Sequence, residues 1–331
     1  MMKEAYITVG ELADHLNCKV IGDRNKKIYG ISLYQESTED LLTYVPYNKI
    51  DSIESIKAGA LLTKYSVGLP VYRNYIITRH DPYEVLSETL KYLIEKGICC
   101  SENNKSFMIS ESAVLSENVS IGKGASIGKD TVISAGAVIG KNVSIGKNCF
   151  IGENTVVGDD TIIDDDVRIG ACCCIGTENF EYIKTKTGWS KIPVVGAVHI
   201  CDHVMIGGNV VVEKGTIGTT TIGSYTQVGN LVQIGHETKI GAHCHIVACV
   251  ALAGWTEIGR NVDIYGQAAI GNRAKIGDNA ILLARAGVDK DVKGNVMVSG
   301  FPAQDHKKEM RFQAFLRELF RMRSRKGCEG E

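Results

Sequence analysis

An aliphatic residue recurs at every sixth position over most of the chain, and this period constrains the fold more than any other feature. The register runs from Ile109 to Ile175, resumes between Ile200 and Val212, and continues from Ile222 to Val288. Six residues are too few for a helical repeat unit, so the period predicts a parallel β-helix. Three hexads should form one triangular coil, which places residues eighteen apart above one another on the same edge.

Each hexad begins with the aliphatic residue, usually followed by glycine and two polar residues, as in IGKGAS and IGKNVS. The first and fifth positions should point inward, so the fifth residue must be small. Cys149, Cys173 and Cys244 occupy the fifth position and are predicted to be packing residues. The glycine at the second position is expected to mark a bend that needs an unusual backbone φ angle.

Three regions follow from this register. Residues 1–100 lack it and mix helix and strand patterns, which predicts a separate N-terminal α+β domain. The β-helix is predicted over 107–298, with an extruded loop at 177–198 where the register breaks. Residues 299–331 form a C-terminal extension with an amphipathic helix, so the fold class is mainly β.

The C-terminal helix combines an apolar stripe with a basic face. Phe312, Phe315 and Leu319 recur at helical spacing, and eight Lys or Arg accompany two Glu between Lys307 and Lys326, a local charge of +6. The helix either packs on neighbouring subunits or docks an acidic partner such as acyl carrier protein, and both uses are compatible.

Composition excludes several other classes. The chain of 331 residues has a net charge of −1, which argues against a nucleic-acid binder. The N-terminus is charged throughout, and no apolar run approaches the roughly 18 residues of a membrane span, so we expect neither a signal peptide nor a transmembrane segment. Eleven cysteines without a C-x-x-C pair favour reduced thiols in the cytoplasm.

His199, Cys201 and His203 alternate along the chain, as possible metal ligands do. Zinc sites with this spacing are rare, so the sequence predicts neither a bound metal nor a bound cofactor.

The string NLVQIGHETKIG, followed by ALAGWTEIG, closely resembles the active-site coils of the UDP-3-O-acylglucosamine N-acyltransferase family of the lipid A pathway. The similarity spans nearly the whole chain and includes ITVGELADHLNCKVIGD, LLTYVPYNK, ENFEY with GWSKIP, and SGFPA. The resemblance implies a left-handed β-helix, a homotrimer with active sites between neighbouring prisms, and a uridine-binding N-terminal domain. It also implies an acyl carrier protein thioester as the acyl donor.

The same resemblance assigns the general base to His236 and an oxyanion-binding backbone N–H to Gly254, one coil above it. A base with a pKa near neutrality suits an amine nucleophile, and the third position of the hexad points outward. Gly254 is also explained as an ordinary turn glycine. Other residues that match substrate-binding positions are Asn230, Gln233, Arg273, Glu178, Phe180, Tyr182, Glu213 and Lys214. Those that match the nucleotide site are Tyr44, Tyr47 and Lys49.

Several positions depart from the family pattern. Arg273 stands where the family has a second histidine, and it keeps a positive charge for phosphate or a pantetheine arm but cannot shuttle protons. The family's DGFG-like loop reads Glu-Asn-Phe-Glu from Glu178, and Tyr47 replaces an asparagine. The sequence therefore supports the reaction class better than the substrate.

The leading hypothesis is acyl transfer from a carrier-protein or coenzyme A thioester to the amine of a UDP-linked amino sugar. One alternative is an acetyl-CoA-dependent N-acetyltransferase for surface-glycan sugars, and another is a non-catalytic descendant that binds a sugar nucleotide. A zinc hydro-lyase that uses His236, His243 and His245 is a further alternative.

Overall fold

The computed structural model describes residues 5–45, 53–64, 69–70, 72–80, 82–98, 108–185 and 188–326. Contacts divide the chain into two compact units. The first comprises Met1–Asn104, Glu178–Ala197 and Lys214–Thr219, and the second comprises Lys105–Thr177, Val198–Glu213 and Thr220–Glu331.

The second unit is a parallel β-helix, which confirms the predicted fold class. In the described part of the chain its strands form three sheets of nine, nine and eleven strands. Strands pair in register one coil apart, as Ile121 with Ile139 and Ile139 with Val157. The aliphatic residues therefore stack along the axis, and each buried side chain contributes roughly 1.5–3 kcal/mol.

The strands of the three faces have the following bounds. The first face holds Met108–Ile109, Ser126–Ile127, Ser144–Ile145, Ile162–Ile163, Ala197–Ile200, Thr219–Ile222, Lys239–Ile240, Glu257–Ile258 and Lys275–Ile276. The second holds Val114–Leu115, Val132–Ile133, Phe150–Ile151, Arg168–Ile169, Met205–Ile206, Gln227–Val228, His245–Ile246, Asp263–Ile264, Ile281–Leu282, Met297–Ser299 and the antiparallel Gln304–Asp305. The third holds Ser120–Ile121, Val138–Ile139, Val156–Val157, Cys174–Thr177, Val211–Glu213, Gln233–Ile234, Ala251–Leu252, Ala269–Ile270 and Gly287–Val288.

The three fifth-position cysteines are packing residues, as predicted. Cys149, Cys173 and Cys244 are buried free thiols within the axial core. Burial raises the pKa of the Cys149 thiol to about 11, so this thiol stays protonated and unreactive near neutral pH.

The expected role of the second-position glycines is wrong. Positive φ angles occur at the fourth position instead, for example at Asn142 (54°) and Asn154 (54°). The second-position glycines permit close approach of successive coils. A Cβ on Gly122 would lie 2.6 Å from the carbonyl carbon of Gly140, a contact that backbone cannot relieve.

The first unit is an α+β arrangement. Helix α1 (Val9–His15) begins with a capping box, in which the Thr8 hydroxyl accepts from the Glu11 N–H and the Glu11 carboxylate accepts from the Thr8 N–H. Helix α2 covers Pro82–Glu95. The main sheet contains, in spatial order, Lys19–Ile21, Tyr75–Ile77, Ala60–Thr63, Leu41–Tyr44 and Gly30–Ser32. Two further strand pairs are antiparallel: Ile7–Thr8 pairs with Lys27–Ile28, and Tyr182–Thr185 pairs with Gly188–Lys191.

Segments 178–197 and 214–219 share the hydrophobic core of this first unit. Ile192 and Ile217 lie in one buried cluster with Leu12, Leu42 and Leu90. Apolar packing therefore anchors both segments in the core of the first unit.

Helix α3 covers His306–Lys326, as the amphipathic pattern predicted. Its apolar stripe is exposed in the isolated chain: Phe312, Phe315 and Phe320 expose 50%, 57% and 70% of their surface. Among the described residues, no helix combines the length and the apolar character that crossing a membrane requires.

Candidate active site

His236 and Glu237 form a hydrogen-bonded pair at one corner of the β-helix. His236 Nδ1 lies 2.5 Å from Glu237 Oε2, and the two side chains expose only 11% and 1% of their surface. An ionised carboxylate can only accept, so this contact places the ring proton on Nδ1. The lone pair of the neutral imidazole then lies on Nε2, the atom that a general base needs.

Glu213 and Gln233 support the backbone that leads to His236. Glu213 Oε2 accepts from the His236 N–H at 3.2 Å, and Glu213 Oε1 accepts from Gln233 Nε2 at 3.1 Å. Burial raises the pKa of the Glu213 carboxyl, while the nearby His236 and these two hydrogen bonds oppose the rise. The contacts fix the start of the corner and hence the direction of the imidazole.

Gly254 lies directly against the His236 ring, in the turn that follows the strand Ala251–Leu252. It occupies the third position of its hexad, where its backbone φ is not in the left-handed region. A Cβ built on Gly254 would lie 2.5 Å from His236 Nε2 and 2.8 Å from both neighbouring ring carbons. The missing side chain is therefore what allows the ring to occupy this place.

The Gly254 N–H is an available hydrogen-bond donor. Among the hydrogen bonds of the described residues it donates none, although its carbonyl accepts from the Arg273 N–H at 3.1 Å. Some equivalent third-position amides are paired, since Lys141 N–H and Arg260 N–H donate to aspartate side chains one coil away, whereas others, such as that of Gly266, also donate none among the described residues. An unused amide beside an imidazole Nε2 is the arrangement that an oxyanion-binding donor requires.

Trp255 and Arg273 extend the same corner over the next coils. The Trp255 ring meets the His236 ring edge-on at 6.4 Å between centroids, and the Arg273 guanidinium lies 5.0 Å above the indole. The buried Trp255 Nε1 has no hydrogen-bond partner among the described residues. The corner thus offers an apolar wall, an indole donor and an exposed cation.

Glu237 and Trp255 were not identified from the sequence. Both occupy the fourth position of a hexad, with φ of 52° and 62°, and so does Arg273 with 65°. Asparagine and aspartate tolerate this left-handed conformation better than bulkier residues, which pay roughly 1–2 kcal/mol for it. Bulky residues such as Tyr225 and Leu231 also occupy fourth positions at other corners, so this feature alone would not have identified the corner of His236.

The remaining predicted residues of the second unit lie elsewhere. Asn230 occupies the preceding corner of the same coil, where its Oδ1 accepts from the Gly208 N–H at 2.8 Å. The His243 ring stacks on Tyr225 at 5.1 Å, and His245 Nδ1 lies 3.9 Å from Asp263. Neither histidine joins His236 in a group of possible metal ligands among the described residues, so the three histidines of the zinc hydro-lyase hypothesis do not form one ligand set within this part of the chain.

Five predicted residues belong to the first unit. Phe180 exposes 82% of its surface, and its ring lies 5.0 Å from that of Tyr182. Glu178 pairs with Lys191, and the Lys214 carbonyl accepts from Asn179 Nδ2 at 3.3 Å. Tyr44 ends the strand Leu41–Tyr44 and is partly buried. The other two nucleotide-site predictions, Tyr47 and Lys49, lie outside the described residues.

The comparison with family models agrees with the hexapeptide-repeat architecture. A family model described as bacterial transferase hexapeptide (six repeats) matches residues 142–177 and 219–254. UDP-3-O-acylglucosamine N-acyltransferase 1 of Gloeobacter violaceus is 49% identical over 42% of this chain and 40% of its own length, so that match spans less than half of the relative. The crystal structure of Francisella novicida UDP-N-acetylglucosamine acyltransferase is similar with a TM-score of 0.46 and 26% identity, over 62% of this chain and 73% of that one.

A longer match decides the family. UDP-3-O-acylglucosamine N-acyltransferase of Paraburkholderia phymatum is 42% identical, and the match covers 96% of this chain and 95% of the relative. The string that carries His236 and the string that carries Gly254 both fall within residues that this match spans. The chain therefore belongs to the UDP-3-O-acylglucosamine N-acyltransferase family.

Proposed function

We propose that this protein transfers an acyl group from a thioester to the free amine of a UDP-linked amino sugar. The observation that carries the proposal is the His236–Glu237 pair, whose Nε2 lies against Gly254, a residue whose N–H donates no hydrogen bond among those of the described residues. Relatives named UDP-3-O-acylglucosamine N-acyltransferase support the same chemistry.

The reaction follows from these two groups. The amine attacks the thioester carbonyl carbon, and His236 Nε2 takes the proton that the nitrogen loses. The carbonyl oxygen becomes negatively charged and accepts from the Gly254 N–H. The tetrahedral intermediate then collapses to the amide, the carbon–sulfur bond breaks, and the proton on Nε2 passes to the leaving thiolate.

Glu237 is the positioning residue in this scheme. Its carboxylate holds Nδ1–H and gains strength as an acceptor when the ring becomes an imidazolium, because both partners are then charged. Its nearly complete burial lowers screening by water and so strengthens the pair at that moment.

Substrate contacts outside the base and the amide remain proposals. We assign the uridine to Tyr44, Tyr47 and Lys49, since a tyrosine ring stacks on a base and a lysine suits phosphate. The loop residues Glu178, Phe180, Tyr182 and Lys214 are assigned to the sugar and its acyl chain, together with Asn230, Gln233 and Glu213. Arg273 is assigned to the phosphate of the donor's pantetheine arm, and the protein is proposed to act as a homotrimer.

The direct test is mass spectrometry of products from an acceptor panel with acyl carrier protein and coenzyme A donors. We expect one acyl group to be added to a UDP-3-O-acylglucosamine acceptor, in a linkage that resists mild alkali as an amide does. UDP-N-acetylglucosamine, which has no free amine, should remain unmodified. Alkali-labile acylation of that second acceptor would contradict N-acylation, and a preference for acetyl-CoA would support the alternative donor.

Helix α3 is proposed to dock the carrier protein. Arg311, Arg317 and Arg321 are exposed on this basic helix, and acyl carrier proteins are acidic. Reversing these three charges to glutamate should raise the KM for an acyl carrier protein donor by about tenfold or more, since complementary charge mainly sets encounter. The turnover number and the KM for an acyl-pantetheine donor should not change.

A matched control reverses three charges in the first coils of the β-helix. Lys123, Lys129 and Lys141 are exposed there, and the triple glutamate variant should keep the wild-type KM for both donors. Equal losses with both donors in the α3 variant, or an equal loss in the control, would reject a docking role for the helix.

A further inference from the structure

A second cluster of chemically versatile side chains lies on the β-helix outside the candidate active site. Asp164, His199 and Cys201 place one carboxylate oxygen, one ring nitrogen and one sulfur within 4.8 Å of each other. His199 Nε2 lies 2.8 Å from Asp164 Oδ2, and both side chains expose 34% of their surface. The cluster is thus sheltered, and it remains accessible from solvent.

The backbone register brings these three residues together. His199 and Cys201 flank the buried Ile200, the last residue of the strand Ala197–Ile200. Ile200 pairs with Ile163 of the preceding coil, and Cys201 and Asp164 each follow directly after these paired residues. The cluster therefore stands at the end of two paired strands, which hold its residues in place as a preorganised ligand set requires.

Of the alternating residues His199, Cys201 and His203, only the first two belong to this cluster. The His203 ring stacks on Tyr225 with 4.6 Å between centroids, so it belongs to a different contact. Asp164 takes its place from the neighbouring coil, a partner that spacing along one strand does not reveal.

The donor set matches a zinc ion in ligand types and charge, and its three donor atoms, all within 4.8 Å of one another, must shift to reach a tetrahedron. Zinc binds imidazole and carboxylate at about 2.0–2.2 Å and thiolate at about 2.3 Å in a tetrahedron, so donor atoms lie roughly 3.3–3.7 Å apart. The Asp164–His199 contact must open by only about 0.5–1 Å to reach that edge length. One thiolate and one carboxylate neutralise a dication, and the imidazole binds as the neutral ring.

The surroundings favour a cation. Asp165 N–H donates to Asp202 Oδ1 at 3.0 Å, which holds a second carboxylate next to the cluster. When a dication binds, the Cys201 thiol loses its proton to solvent and binds as the thiolate.

We propose that Asp164, His199 and Cys201 bind one Zn²⁺ ion per chain, with water as the fourth ligand. The ion joins two neighbouring coils of the β-helix. Asp164 and His199 are 35 residues apart in sequence, because the chain leaves the hexad register between them. A link across that segment restricts the unfolded chain, so the ion acts as a structural clamp and its role is independent of acyl transfer.

The test is metal titration of the reduced, chelator-treated full-length protein. Cobalt(II) should bind with one equivalent per chain and give a thiolate-to-cobalt charge-transfer band, which zinc then removes by displacement. Cys201→Ser should lose the band, and His199→Ala should weaken cobalt binding at least about tenfold, the lower range for a disturbed metal site. Zinc should raise the thermal unfolding midpoint of the wild type and not that of Cys201→Ser.

A control cysteine makes the test specific. Cys249 is an exposed free thiol on the same β-helix, and Cys249→Ser should keep the band, the stoichiometry and the zinc-induced stabilisation. A wild-type protein without a charge-transfer band would overturn the proposal. A band that survives in Cys201→Ser would also overturn it, because the ion would then use other thiols.

Discussion

The variant His236→Ala should lower the turnover number for amide formation by about 10²–10⁴-fold, the usual contribution of a general base. The amine must lose a proton as it attacks, and the His236 ring is the basic group of this corner whose Nε2 lies against Gly254. The KM for the UDP-sugar should change little, because the uridine contacts are assigned to other residues. Steady-state kinetics with a single acyl carrier protein donor measures both quantities.

Two further variants make this result specific. His245→Ala removes an exposed histidine on another face of the β-helix and should retain wild-type turnover. Glu237→Gln keeps the shape of the Nδ1 partner but removes its charge, so turnover should fall less than in His236→Ala and the pH profile should shift. Turnover of His236→Ala within about threefold of wild type would exclude a base that contributes the usual 10²-fold or more.

How far the sequence predicts this site depends on the hexad position of each residue. His236 and Gly254 lie eighteen residues apart in an unbroken register, so their stacking followed from the period alone. The burial of His236 did not follow, because third positions elsewhere in the helix are mostly exposed or half-buried. Glu237 was not predicted, because its contact with the His236 ring depends on the left-handed backbone at the corner.

The sequence likewise predicts some features of the fold and misses others. Register predicted the strands, the stacked core and the packed cysteines, since a period of six residues has few physical solutions. It misjudged the second-position glycines, because the distance between coils is not visible within one hexad. It also could not place Ile192 and Ile217, because residues outside the repeat find their hydrophobic partners through tertiary packing.

Gly254→Ala should lower turnover by about 10²–10³-fold, a loss comparable to removing one oxyanion donor. The added methyl would lie 2.5 Å from His236 Nε2, so the ring must rotate away from the position where it meets the amine. The backbone N–H is still present, but the methyl group occupies the space that the thioester oxygen needs. Single-turnover kinetics should show the loss in the chemical step, with substrate affinity nearly unchanged.

Gly266→Ala is the matched control, because Gly266 holds the same third position on another edge of the helix. A Cβ there would meet the Ala248 carbonyl oxygen at 3.4 Å and Val247 Cγ1 at 3.7 Å, both ordinary contacts. This variant should keep wild-type turnover, and both variants should unfold within a few degrees of the wild type. If Gly254→Ala retained turnover within about threefold of wild type, Gly254 would be a packing residue, since a blocked oxyanion site costs far more. Its amide would then have no part in stabilising the tetrahedral intermediate, and the donor would have to be sought at Trp255 Nε1, the other unpartnered N–H of this corner.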